Sequence, residues 1–411
     1  VENSRTKGAK LKPLSYIFLL VFLFFATGCS VGKSFQNLNE IRQKEGLKPL
    51  TYNINLECSS LAHAAYIVKN LAISHEQSPD GVGFTGKTPT DRGSACGYHS
   101  PVLENLTFNA KDLQDAFDGL MGAIYHRFTF LNPRVDEIGI GVHQGKQRGY
   151  VFNLGNSKVE TFCKRNKGVY FGSTGFSGLR FYGFCKNKSL SLSKEAYDQT
   201  RRLTSAKFVI YPHRTPSAIS FNGEVPDPFP TCKITSNPVS IEFVDDSVKM
   251  VSFKIFDERG RELTNTKILT YESDPNQLLN SRQFALFSAE VFDFDSKYNV
   301  AFVYDDVDGK RYKVSWNFRT VKPKGKYFVV HGGERLKLKR DVLYTIFLKP
   351  DDCNDLAGGY SMRRADAKTD RKKPFSRMSN ANTIEVKLNA YSAKEYVVTF
   401  TNGKKVFVEM E

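Results

Sequence analysis

The apolar pattern of this chain changes period near residue 150, and that change fixes the kind of fold it can adopt. Before it, apolar residues recur at helical spacing, as in Leu56, Leu61, Ala64, Ala65, Val68 and Leu71. Leu113, Phe117, Leu120, Met121 and Ile124 form a second series, confined to about 100° of arc at 3.6 residues per turn, which predicts one buried helix face running through Ile124. The stretch between the two series, Ser78 to Ser100, is rich in Gly, Pro, Ser and Thr and reads as loop. Ile138-Gly-Ile-Gly-Val142 and Gly149-Tyr-Val-Phe152 read as strands, so the first region is α+β.

Beyond residue 150 the period is two. Val239 to Phe243, Val251 to Ile255 and Tyr298 to Phe302 alternate in this way, and Asp308-Gly309 has the chemistry of a hairpin turn. Closely spaced strands divided by turn residues predict an Ig-like β-sandwich over 216–320. The theme returns in Val342 to Phe347, Thr383 to Leu388, and the pair Tyr396 to Thr401 and Lys404 to Val408 around Asn402-Gly403. These predict a second β-module over 321–411, with 161–215 as a β-rich connector. Trp316, the single tryptophan, reads as a core residue.

The first 28 residues read as an address. Arg5, Lys7, Lys10 and Lys12 precede Leu14 to Ala26, a run of thirteen residues that is apolar except for Ser15. That is too short for a membrane-spanning helix, which needs about 20 apolar residues. It ends in Ala26-Thr27-Gly28-Cys29. This resembles the lipobox of bacterial lipoproteins, with Ala26 where that pattern prefers Leu. The resemblance implies acylation of Cys29, a membrane anchor, and a short tether over 29–35. Ser30 after Cys29 favours the outer membrane by the sorting habit of such lipoproteins. Cys58, Cys96, Cys163, Cys185, Cys232 and Cys353 remain, and an even number in an exported chain predicts disulfides. Six cysteines allow 15 connectivities. Pairing by proximity gives Cys58–Cys96, Cys163–Cys185 and Cys232–Cys353. No CxxC pair occurs, which disfavours a zinc site of cysteines.

With 40% hydrophobic and 25% charged residues, wholesale disorder and a polytopic membrane protein are excluded. The net charge of +16 favours an anionic partner. From Val321 to Arg377 there are 15 basic and 7 acidic residues, with Arg363-Arg364 and Arg371-Lys372-Lys373 in a Gly/Ser/Asp-rich loop. Either this is a solvated loop or it meets an anionic lipid or glycan of the envelope. An exported chain does not make nucleic acid an expected partner.

Three segments, taken in order, carry a family resemblance. The first is Leu38-Asn-Glu-Ile-Arg42 with Gly46-Leu-Lys-Pro-Leu50 and Tyr52-Asn53. The second is Ser74-His-Glu-Gln77 with Gly83-Phe-Thr-Gly86, Asp91-Arg92 and Gly97-Tyr98. The third is Glu104-Asn105 with Tyr125-His-Arg127, Leu131-Asn-Pro133 and Ile138-Gly-Ile-Gly141. Together they resemble a bacterial CAP domain, of the superfamily of cysteine-rich secretory proteins, antigen 5 and pathogenesis-related proteins. The resemblance implies an α-β-α sandwich over 36–160, with a shallow cleft lined by two histidines and two acids. By motif His75 and His126 are the histidines and Glu104 the first acid. The second acid falls near residue 123, where this chain has Ala123. Asp118, the nearest acid, lies five residues or about 1.4 turns earlier.

Two imidazoles and a carboxylate on one cleft suit three uses. They can hold helix to sheet, bind a divalent cation such as Zn or Ca, or do acid/base work. His63, in a Leu- and Ala-rich helix, reads as a helix-face residue, and Arg92 and Arg127 as braces for loops. Segments such as Pro226-Asp-Pro-Phe-Pro230 and Trp316-Asn-Phe318 look like the β-module that follows some bacterial CAP domains, an adhesion-like spacer. The expected function is therefore non-enzymatic binding or adhesion by an envelope-anchored lipoprotein, with a metal-assisted hydrolase using His75, Glu104 and His126 as the alternative.

Overall fold

The computed structural model describes residues 32–165, 180–245 and 247–411. The expected leader over 1–28 and the expected acylation site Cys29 lie outside the described residues.

The first region is an α-β-α sandwich. Its sheet runs β1 (Thr51–Tyr52), β3 (Glu137–Gln144), β4 (Arg148–Gly155), β2 (Leu103–Phe108) in spatial order. β1 is parallel to β3, and the other pairs are antiparallel. Side chains alternate across a strand. Ile138 and Ile140 of β3 thus enter one core with Tyr150, Phe152 and Leu154 of β4. That core is covered by α1 (residues 32–44), α4 (Leu113–Gly122) and α5 (Ile124–Phe130). Phe130 packs on Phe117 and Phe152 with ring centroids 5.1 and 5.2 Å apart. Burying each such ring contributes about 1.5–3 kcal/mol.

The other face of β3 presents Gly139 and Gly141 to α2 (Ile54–Asn70). A Cβ at Gly139 would sit 2.0 Å from the Glu57 nitrogen, and one at Gly141 would sit 2.2 Å from the Ser60 carbonyl carbon. The glycine pair therefore lets the helix axis approach the sheet closely. The contacting line is Leu56, Ser60 and Ala64, at intervals of four, and Leu61 falls on the flank, 45% exposed. α2 starts at Asn53, whose side chain accepts from the Asn55 and Leu56 amides.

Three expectations need correction here. Residues 32–35 are helical and continue into α1, because Phe35, Leu38 and Ile41 recur every three residues and pack on the core. The Ser78–Ser100 stretch contains α3 (Pro89–Ala95): Thr88 and Asp91 form a capping box, and Pro89 occupies the first turn, where its missing N–H costs nothing. The helix predicted through Ile124 ends at Gly122. Ala123 is extended (ψ 123°), and α5 starts anew beyond it.

α6 (Ser157–Arg165) is tied to a small hairpin, Arg180–Tyr182 with Ser191–Ser193, through Cys163–Cys185. Helix α7 (Lys194–Thr200) follows. The strand Phe208–Tyr211 then pairs antiparallel with Val239–Phe243. The first β-sandwich thus takes its first strand from the segment expected to be connector, before residue 216. Its two sheets hold four strands (Thr266–Leu269, Gln283–Ser288, Val239–Phe243, Phe208–Tyr211) and three (Arg311–Arg319, Lys297–Asp305, Lys249–Phe256). Phe243, Phe253, Phe302 and Trp316 fill the space between them, and the Trp316 indole N–H donates to the Pro212 carbonyl at 3.0 Å. Asp308-Gly309 makes the expected hairpin, with Gly309 at φ +78°.

The second sandwich has two four-stranded sheets, in spatial order Lys326–Val330, Tyr344–Leu348, Thr383–Lys387, Phe375–Asn380, and Arg335–Leu338, Lys405–Met410, Glu395–Phe400, Tyr360–Arg364. Asn402-Gly403 turns its last hairpin. The architecture is therefore α+β followed by two β-sandwich modules with Ig-like strands. All three proximity pairings of cysteines are present, Cys58–Cys96 joining α2 to the end of α3 and Cys232–Cys353 joining the two sandwiches. Phe347 and Ala381 of the second sandwich lie in the core cluster of the first.

Candidate functional site

Glu104 is the centre of the cleft. Alternation along β2 sends its side chain toward α2 and α3, where only 1% of it is exposed. Oε2 accepts from the Arg92 guanidinium of α3 at 2.7 Å. Oε1 lies 3.1 Å from His75 Nδ1 and 3.4 Å from His63 Nε2. The same His63 nitrogen lies 3.0 Å from the Ser74 carbonyl oxygen, and the other ring nitrogen is 3.0 Å from Gln77 Nε2. Burial pushes the His63 imidazole down to about 4, so the ring is neutral at physiological pH. A neutral ring that donates from Nε2 to the Ser74 carbonyl can accept at Nδ1 from the Gln77 amide. His75 is about half exposed and is the one histidine of this group that faces solvent.

His126 has a different partner. The neighbouring residue on β2, Asn105, points to the opposite side and donates to the His126 carbonyl at 2.8 Å. The His126 ring places Nδ1 3.2 Å from Oε1 of Glu224, which comes from the loop that follows the first strand of the β-sandwich. Glu224 also accepts from the Ile124 and Tyr125 amides, the free donors at the start of α5. Ala123 has no side chain to cap that helix, so the following module supplies the cap.

The structure thus brings His75 and Glu104 together, and pairs His126 with Glu224. Asp118 accepts from Gln114 on its own helix and faces a separate groove beside Phe117, Tyr211 and Asn237. His63, read from sequence as a helix-face residue, is fully buried against the carboxylate; Ser74-His75 lies one loop after it, and only that spacing hinted at a meeting. Glu224 had no local signal, being 98 residues from its histidine.

A divalent-cation site on His75, Glu104 and His126, one of the three uses open to them, does not fit this geometry. A guanidinium already occupies one oxygen of Glu104 and would repel a second cation. His126 faces another carboxylate. Among the described residues no group of three His, Cys, Asp or Glu side chains is disposed to hold a metal ion. Arg92 and Arg127 are braces, as expected. Arg127, fully buried, donates to the Met121 carbonyl at 2.7 Å and to Asn237 Oδ1 at 2.9 Å, and so binds α5 to the sandwich.

Glu224→Ala is expected to lower the melting temperature by several degrees, since losing a helix cap costs about 1 kcal/mol and His126 also loses its partner. Scanning calorimetry checks this; an unchanged transition would mean that solvent caps α5 equally well.

An α-β-α sandwich with a histidine–glutamate cleft at one end of its sheet defines the class of this segment. Residues 35–157 match the model of the CAP family, described as the cysteine-rich secretory protein family, and this segment is a CAP domain. Solved structures with similarity include an extracellular protein containing an SCP domain from Bacillus anthracis (24% identity, 31% of this chain and 40% of that one, TM-score 0.27). Others are an outer surface protein of Borrelia burgdorferi (20% identity, 32% and 94%, TM-score 0.28) and a cysteine-rich secretory protein from Staphylococcus aureus (21% identity, 31% and 40%, TM-score 0.24). The chain spans 40% of the length of the first. No curated protein matches.

Proposed function

We propose that this CAP-domain protein is exported, held at the cell envelope through an acylated Cys29, and binds an anionic lipid or glycan of the envelope without catalysing a reaction. The observation that carries the binding reading is the saturation of Glu104. Acid/base work needs a carboxyl that can exchange a proton with substrate, whereas both oxygens of Glu104 are engaged and the side chain is 1% exposed. The group is built as a brace between α2, α3, β2 and the His75 loop, and His75 is left to face a ligand. The three disulfides and the leader ending at Cys29 support export.

The anionic partner is favoured by the loop after Tyr360–Arg364. Arg364 is held by Asp366 and Asp370, but Lys368, Arg371, Lys372 and Lys373 are exposed, with Arg371 over the Tyr391 ring. Reversing Arg371, Lys372 and Lys373 to Glu is expected to weaken attachment to phosphatidylglycerol vesicles roughly a hundredfold, from the usual contribution of each basic residue near an anionic surface. Co-sedimentation, with phosphatidylcholine vesicles as the neutral control, reads the result. Undiminished attachment would remove the loop from the binding surface. Mass spectrometry of the mature N-terminus tests the anchor: an unacylated terminus beyond Cys29 overturns it.

A further inference from the structure

A cavity of about 250 Å³ lies where the CAP sheet, α7 and the first sandwich meet. Its floor is apolar, with Leu103, Leu154 and Val159 from the CAP side. Its walls carry three guanidinium groups drawn from three separate parts of the chain. Arg134 follows α5, Arg201 ends α7, and Arg282 precedes the strand Gln283–Ser288. Bringing three like charges together is unfavourable unless something of opposite sign compensates. Arg201 is compensated by Asp198 at 2.6 Å. Among the described residues Arg134 makes one ion pair, with Glu242 at 3.9 Å, and also donates to the Val244 carbonyl. Arg282 has no ion pair among the described residues, and its Nε is buried without a hydrogen-bond partner.

Glu242 is equally unusual. It is almost wholly buried, and Oε2 has no partner. Burial pushes its carboxyl up to about 7. Near neutrality part of it is therefore protonated, and it adds less negative charge to the wall than an ordinary carboxylate. The cavity thus offers three guanidinium groups, an Arg282 Nε with no hydrogen-bond partner among the described residues, and an apolar floor, and an unmade bond is costly in such a place.

We propose that this cavity binds a phosphate group carried on a small organic body such as a polyol or sugar, with Arg282 and Arg134 gripping the phosphate oxygens and the apolar floor taking the carbon frame. Guanidinium forks match the geometry of phosphate oxygens. The site is independent of the Glu104 cleft and of the basic loop, so it stands or falls separately from the reading above.

The test is calorimetric titration of the intact disulfide-bonded chain with glycerol phosphate, inorganic phosphate and glycerol at constant ionic strength. Saturable binding of glycerol phosphate, with none of glycerol, is expected. Equal affinity for inorganic phosphate would assign the site to the free ion and overturn the organic body. Arg282→Met should fold normally, because among the described residues its Nε has no hydrogen-bond partner and the side chain no ion pair to lose, and should weaken binding about tenfold or more, the usual effect of losing a charge-assisted bond. Arg201→Gln serves as the second variant, expected to weaken binding less because Asp198 already shares that cation. Absence of saturable binding to the parent chain, or unchanged affinity in Arg282→Met, overturns the proposal.

Discussion

Arg92→Leu is expected to lower the melting temperature of the CAP domain by about 10 °C, corresponding to roughly 3–5 kcal/mol. The substitution strands Glu104, whose carboxylate is buried and loses the one permanently charged partner it has among the described residues. In the parent, burial keeps the His63 ring neutral, so it adds no second cation there; losing Arg92 removes one of the charges that hold that ring down, which offsets part of the loss. His75 is half in solvent and screened. The double variant Arg92→Leu/Glu104→Leu should recover much of the loss, because it removes the uncompensated charge along with its partner. Thermal melting followed by circular dichroism reads both. A single variant that melts within about 2 °C of the parent would mean that the pair is not what holds α3 to β2.

Cys232→Ser/Cys353→Ser is expected to cost about 4–5 kcal/mol by loop-closure entropy, since the bridge spans 121 residues. The effect should concentrate between the two sandwiches. The residues around the bridge add two backbone bonds, from the Lys233 and Ile234 amides to the Cys353 carbonyl at 2.8 and 3.0 Å, which lose their alignment with it. Phe294 against Phe347, at 5.6 Å between ring centroids, and Lys349 with Asp293 at 2.9 Å remain as weaker ties. Limited proteolysis should then cut near 321–325, where the chain passes from one module to the next. Melting and digestion identical to the parent would show that these ties suffice.

Much of the fold was legible because single residues announced it. Ile138-Gly-Ile-Gly-Val142 was legible as a strand, although the close approach of α2 to its glycine face emerged only from the structure. Asn402-Gly403 and Asp308-Gly309 fixed two hairpins in the β-modules. α3 was hidden by composition: Thr88-Pro89-Thr90-Asp91 carries a helix start, but it sits among residues that usually make turns. The break at Ala123 was hidden for a different reason. The apolar spacing continues unbroken from Met121 to Ile124 because both residues are buried, although in different clusters. The spacing of apolar residues reports burial, and cannot tell one bent surface from two helices.

The site was legible only where its partners lie within one domain. His75 and Glu104 fall within 30 residues and meet as the resemblance implies, and Arg92, read as a loop brace, bonds the same carboxylate. His126 pairs across a module boundary, and no pattern around either residue could show that. The same holds for the three arginines of the junction cavity, each unremarkable in its own sequence surroundings.

The seam between α5 and the first sandwich has a practical corollary. Ala123, Ile124 and Phe128 share a cluster with Phe221, Leu269 and Phe287, and Arg127 finds two of its acceptors in Asn237 and Pro238. A fragment ending at residue 157 would bare those oily side chains, abandon a guanidinium in the interior, and uncap the helix bearing His126. Ligand screens run on such an excised piece would interrogate an altered pocket, so the natural unit of study extends at least to residue 320.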